Sequence, residues 1–298
     1  MITLSNGHRF EYMVASGALG FDGRGWPWER PLVALGLIRP ELFTVVLKSL
    51  TRHPRAGNLR WWKPWDCVRL IDGGSVNKVG LTNPGIDYWC NKIAPTISFH
   101  HLRLVSSIFG EEHELVEMAT RLNQFINLVG LEVNVSCPNT GHAIETAETV
   151  VKAVRAVKAA SHHPIIVKVS VDQDYMTIAR HLIGIAEAIS LNSVPWSTIF
   201  PNQRSPLWKL ERKVGGGGGG VSGKPAQTYN WAAVAALSSE EALPVIGSSV
   251  MEREDIVKLR FLGASAVSFG AIHLRTPWRP TSFVFKETKR GKTLSELA

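Results

Sequence analysis

The chain has 298 residues, is 45% hydrophobic and carries a formal charge of +8 at pH 7; its Lys and Arg are dispersed and form no basic-aromatic stripe, which argues against a nucleic-acid binder. That length supports a large buried core and exceeds the usual single domain unless the fold is an α/β barrel, leaving one barrel or two smaller domains. No apolar run approaches the roughly 18 residues that span a bilayer, the N-terminal MITLSNGHRFEYM lacks the layout of a secretory signal, and three scattered cysteines exclude a disulfide framework and a four-ligand zinc site. The expectation is a cytoplasmic protein with no membrane attachment and no metal.

In chain order, the β-rich apolar runs are YMVAS (12–16), FTVVLKS (43–49), LRLVSSI (102–108), LEVNVS (131–136), PIIVKVS (164–170), AISLNS (188–193), LPVIGSS (243–249) and SAVSFG (265–270). Helical spacing lies between them. Leu115, Met118, Leu122, Phe125 and Ile126 recur every three to four residues, as do Ile144, Ala147, Val151, Val154 and Val157, and MEREDIVKLRFLG (251–263) ends in Gly263, a fitting C-cap. Alternating strands and helices imply a parallel sheet. Eight such repeats predict an α/β fold of the (β/α)8 TIM-barrel type, one domain over residues 1–298.

Such barrels carry their chemistry at the C-terminal ends of the strands. There this sequence places Ser16-Gly17, Lys48, Asn134 with Cys137, Lys168, Asn192-Ser193, Ser248-Ser249 and Gly270. The long segments 50–92 and 194–227 are expected to roof them. GGGGGGVSGK (215–224), ahead of a helix expected from near Thr228, and IGSSVM with SFGAI both read as phosphate cradles, although a glycine run also suits a flexible loop. Lys48 and Lys168 end apolar strands, so each either meets an anion or snorkels to solvent, and Lys168 also suits a Schiff base. Asn77, Asn134, Asn139 and Asn192 offer uncharged donors and acceptors that match ureido and imide edges, or they form turns. Cys137 is either an inert thiol or a base whose pKa the lysines depress.

Beyond these readings, NVSCPNT (134–140) closely resembles the strand-4 signature of the dihydroorotate dehydrogenases. ASG (15–17), KSLTRHPRAGN (48–58), VNKVGLTNPGIDY (76–88), VKVS (167–170), LNS (191–193), GGVSG (219–223) and GASAVSFGAI (263–272) have counterparts in that family in the same order. The resemblance, to the soluble cysteine-base branch, implies FMN across the barrel mouth and dihydroorotate oxidised to orotate. Cys137 would remove the C5 proton while the C6 hydride passes to FMN. Substrate would meet Asn77, Asn134, Asn139, Asn192 and Ser193, with Lys48 and the backbone of Val79, Gly80 and Leu81 at its carboxylate. FMN would be held by Ala15, Ser16, Gly17, Lys48, Lys168, Asn192, Gly220, Ser222, Gly223, Ser248, Ser249, Gly270 and Ala271.

The resemblance also implies a homodimer and an electron acceptor such as fumarate. An NAD route would need another chain, because no iron–sulfur cysteine cluster is present. Two rival readings remain: the same flavin barrel acting on another pyrimidine or an enone, since the segment after Cys137 is shorter than the family's lid, and a phosphate-binding barrel without redox function. Where relatives carry Gly-Gly after strand 7, this chain has Ser249-Val250. Val250 is therefore expected at negative φ, with Ser249 adding a hydroxyl donor.

Overall fold

Every apolar run named above becomes a barrel strand. The computed structural model describes residues 1–60, 62–136, 146–240 and 243–296. In chain order the strands are β1 (Ile2–Thr3), β2 (Arg9–Phe10), β3 (Tyr12–Val14), β4 (Thr44–Val46), β5 (Val68–Ile71), β6 (Gly74–Asn77), β7 (Arg103–Ile108), β8 (Leu128–Asn134), β9 (Ile165–Val169), β10 (Ala188–Leu191), β11 (Val194–Pro195), β12 (Gly220–Gly223), β13 (Val245–Gly247) and β14 (Ala266–Phe269). A closed parallel barrel forms in the order β3-β4-β7-β8-β9-β10-β13-β14, and β14 returns to β3 with Phe269 beside Val14.

The barrel interior is layered because alternate residues of a strand share a face. Near the strand N-termini, Met13, Val46, Val105, Ile166, Ala188, Ile246 and Ala266 cluster with Ile2, Leu4 and Phe10 of the β1–β2 hairpin, which plugs the bottom. Two residues further along, Ser107, Glu132, Lys168, Ser190 and Ser268 take the interior positions, all buried. An aliphatic side chain buried at each would contribute roughly 1.5–3 kcal/mol. The polar layer forgoes that contribution, which marks the end of the barrel where chemistry belongs.

Outside the barrel, the helix Glu112–Leu122 opens with a reciprocal Glu111–Glu114 capping box and buries Leu115, Met118 and Leu122. Its end corrects the expected pattern: Ile126 lies beyond the helix and is 78% exposed, while Phe125 packs on the core. The helix Ala147–Ala160 buries Val151, Val154 and Val157, whereas Ile144 lies outside the described residues. Gly263 adopts φ +94° after the helix Arg253–Phe261, as a left-handed C-cap requires. The helix after the glycine run begins at Lys224, earlier than expected near Thr228, with a proline in its first turn, where the missing N–H is harmless.

The two long segments do roof the mouth, and they do so as one sheet. β5 and β6 form a hairpin in the first, β11 and β12 lie in the second, and the antiparallel order is β11-β12-β6-β5. Asn77 pairs with Gly220 and Gly74 with Gly223, so the insertions are stitched strand to strand. A Cβ on Gly74 would lie 2.1 Å from the Ser222 carbonyl oxygen, so only glycine allows this approach. Val76, Trp196, Leu207 and Val221 give the roof its own small core. Residues 215–219 all take positive φ, and the buried Lys78 ammonium donates to the carbonyls of Gly215 and Gly216. Burial pushes the Lys78 pKa down. The glycine run is therefore a clamped part of the roof. Among the described residues, no helix is long and apolar enough to cross a membrane.

Candidate active site

A cavity of about 830 Å³ lies between the roof and the polar layer. Its walls come from the strand ends and the roof, and they contain every described residue named above as a site candidate. Ala15, Ser16 and Gly17 follow β3, and Lys48 follows β4; Asn134 ends β8, Lys168 lies on β9, and Asn192 and Ser193 follow β10. Ser248 and Ser249 follow β13, and Gly270 and Ala271 follow β14. The roof contributes Asn77, Val79, Gly80, Leu81, Gly220, Ser222 and Gly223. Cys137 and Asn139 lie outside the described residues. Among the described residues, four cationic side chains, Lys48, Arg55, Lys78 and Lys168, line the cavity against two carboxylates, Glu29 and Glu132. That balance favours an anionic ligand.

Lys168 does meet an anion, and that anion belongs to the protein itself. Its ammonium donates to Glu132 Oε1 at 2.6 Å, with both side chains buried. Ser107 donates to the same oxygen at 2.9 Å and Ser190 to Oε2 at 3.2 Å. Hydroxyls continue from Ser107 to Ser49 at 2.8 Å and on to Ser16 at 3.1 Å, which brings the network to the cavity wall. Ser49 also accepts from Asn134 Nδ2, while Asn134 Oδ1 accepts from Ser136 Oγ at 2.6 Å, and Asn192 Nδ2 donates to that hydroxyl at 2.8 Å. Two candidate amides are thereby fixed in orientation through a shared serine. The half-buried Lys48 holds its ammonium 5.9 Å from the Phe21 ring centroid.

Among the described residues, the non-glycine positions with positive φ are Leu81 (+56°) and Ser249 (+67°), and both line the cavity. Backbone strain of this kind concentrates at ligand sites. Val250 keeps negative φ as expected and is buried, so the left-handed residue of the turn is Ser249. Its Oγ accepts from Asn230 Nδ2 at 3.1 Å. Ser249→Ala and Ser249→Gly both remove that bond, but only glycine relieves the left-handed strain. The glycine variant should therefore be the more stable of the two by about 1 kcal/mol. Equal denaturation midpoints would contradict a strained turn.

Glu29, Trp26 and Trp28 also line the cavity and went unnoticed in the sequence, where a loop of Gly, Trp and Pro carries no periodic signal. The Trp26 N–H donates to Glu29 Oε2 at 2.9 Å, and the two indoles stack at 5.4 Å. Burial pushes the Glu29 carboxyl up to about 7 from an ordinary 4.5. Between those two values the folded state holds a proton that the unfolded chain has lost, so stability falls as pH rises through that window. Unfolding free energies at pH 5 and pH 8 should show Glu29→Gln escaping a loss of roughly 3 kcal/mol that the parent protein suffers. The same loss in both proteins would refute this account.

A closed (β/α)8 barrel whose strand ends and loops enclose a cation-rich, amide-lined cavity belongs to the class of small-molecule enzymes built on this fold. The sequence profile of the dihydroorotate dehydrogenase family matches residues 13–284. The chain belongs to the dihydroorotate dehydrogenase family. Relatives named dihydroorotate dehydrogenase B (NAD(+)), catalytic subunit, include that of Desulforudis audaxviator, 32% identical over 274 residues, covering 89% of this chain and 83% of the relative. The protein of that name from Geobacillus kaustophilus is 30% identical over 275 residues, with 89% and 82% covered, and that from Anoxybacillus flavithermus is 29% identical over 277 residues, again with 89% and 82% covered.

Proposed function

We propose that this chain oxidises dihydroorotate to orotate in pyrimidine biosynthesis, with FMN bound in the cavity. The observation that carries this reading is the convergence of Asn77, Asn134, Asn192, Ser193, Lys48 and the segment 79–81 on one cavity. Three amides, a cation and a strained backbone turn suit a ring bearing ureido, imide and carboxylate groups.

The residues present fit FMN. Ser248 Oγ and both ring nitrogens of His273 are buried without a hydrogen-bond partner and line the cavity near the ends of β13 and β14, where barrels of this kind hold phosphate, while the unpartnered Asn230 Oδ1 could accept from a hydroxyl of the ribityl chain. Ser248, Ser249, Gly223, Gly270 and Ala271 would hold the phosphate end. Ala15, Ser16, Gly17, Lys168, Gly220 and Ser222 would hold the remainder. FMN, when bound, accepts the hydride that leaves C6 of the substrate. Cys137 takes the C5 proton, Lys48 and the backbone of residues 79–81 hold the carboxylate, the asparagines orient the ring, and the roof limits access of water.

The relatives' names, catalytic subunit and NAD(+), favour electrons leaving through a partner chain to NAD over direct use of fumarate. A cytoplasmic homodimer of this chain completes the reading. The deciding experiment mixes the yellow protein anaerobically with dihydroorotate and follows the flavin absorbance. Bleaching, with release of FMN on acid precipitation, is the expected result. A colourless protein that FMN does not reconstitute would overturn the cofactor assignment, and flavin unreduced by dihydroorotate would point to another pyrimidine or an enone.

A further inference from the structure

Glu132 is 1% exposed, and strands on both sides of β8 grip its carboxylate. β7 supplies Ser107 at 2.9 Å, β9 supplies the Lys168 ammonium at 2.6 Å, and β10 supplies Ser190 at 3.2 Å. In register Glu132 lies beside Ile166, two residues before Lys168 on β9, while Ser190 lies beside Lys168 itself, so the carboxylate bridges from its own strand to two strands further round the barrel. Both side chains line the cavity. Among the described residues, the other charged groups in the lining are Lys48, Lys78, Arg55 and Glu29, and the remaining partners of the carboxylate are neutral hydroxyls.

We propose that Glu132 is the positioning residue of this site: by fixing the Lys168 ammonium in a buried ion pair and neutralising it, it limits how strongly that cation favours the reduced flavin, and so keeps the reduction potential low. The inference rests on the FMN reading above. Reduction adds electron density to the flavin, and a cation held nearby stabilises that density more when no carboxylate shares it. A muted lysine suits an enzyme that passes electrons toward a weak oxidant such as NAD.

The test measures the midpoint potential of the bound flavin against reference dyes, a quantity that a purely architectural role would not move. Glu132→Gln should favour the reduced over the oxidised flavin by about tenfold, a rise of about 30 mV for a two-electron couple. In a Lys168→Met background the same substitution should shift the potential less than half as far. Equal shifts in both backgrounds would mean that the carboxylate acts by its own field, and the positioning role falls. Glu132→Asp keeps the charge and the fold but loosens the grip on the ammonium, so it should give a smaller rise of the same sign. An unchanged potential in that variant overturns the proposal even if the Gln variant does not fold. Absence of bound flavin from the parent protein would instead count against the FMN reading.

Discussion

Cys137→Ala is expected to leave flavin bound and to slow its reduction by dihydroorotate about 10²–10⁴-fold, the usual contribution of a positioned base. The other two cysteines offer no substitute. Burial pushes the Cys67 thiol up to about 11 and raises Cys90 as well, and neither lines the cavity. A thiol held protonated and away from the ligand cannot take the C5 proton. Stopped-flow reduction under anaerobic conditions reads the effect directly, and reoxidation of pre-reduced flavin serves as the control because it needs no base at residue 137. Equal loss in both half-reactions would identify structural damage instead of a missing base. Cys137→Ser should keep some activity with its pH optimum moved upward, since a hydroxyl is the poorer base.

Lys168→Met is expected to destabilise the fold by about 3–5 kcal/mol, because it strands the Glu132 carboxylate in the barrel without its cation. Hydrogen bonds from Ser107 and Ser190 remain, but two neutral hydroxyls compensate a buried charge only in part. Adding Glu132→Gln to that variant should restore most of the loss, since replacing both partners removes the unpaired charge along with the pair. Urea denaturation of the two single variants and the double variant decides the matter. A double variant no more stable than Lys168→Met alone would show that the loss came from packing of the lysine stem.

The barrel was legible because its strands are dense in β-branched and aliphatic residues and its helices keep a regular apolar spacing. The roof was not. GSVN of β6 is half glycine and serine and GVSG of β12 is three-quarters, and the two insertions become one sheet only by pairing these strands across 143 residues. Tertiary pairing, added to the local β5–β6 hairpin, makes that sheet. The strand-end residues of the site followed from the rule that barrel chemistry sits at strand C-termini, and every described candidate lines the cavity. Glu132 escaped although its signal was present: it shares a strand face with Asn134, and an acid there implies a buried partner. Asn230 and His273 lie in helices, where nothing in the sequence distinguishes them from surface polar residues.

The stitched roof has a consequence for how the protein is made. Asn77 and Gly220 are register partners 143 residues apart, so β6 waits for β12 through about half of the chain's synthesis, with its outer edge unpaired and only the β5 hairpin beside it. At about 5–20 residues per second that wait lasts on the order of ten seconds, long enough for chaperones to meet the exposed edge. Gly223 is also made ahead of Ser248, Ser249, Gly270 and Ala271, so the roof strands emerge before the rest of the proposed phosphate end is complete. A flavin of the kind proposed would meet a complete phosphate end only once Gly270 and Ala271 have emerged, after all four roof strands.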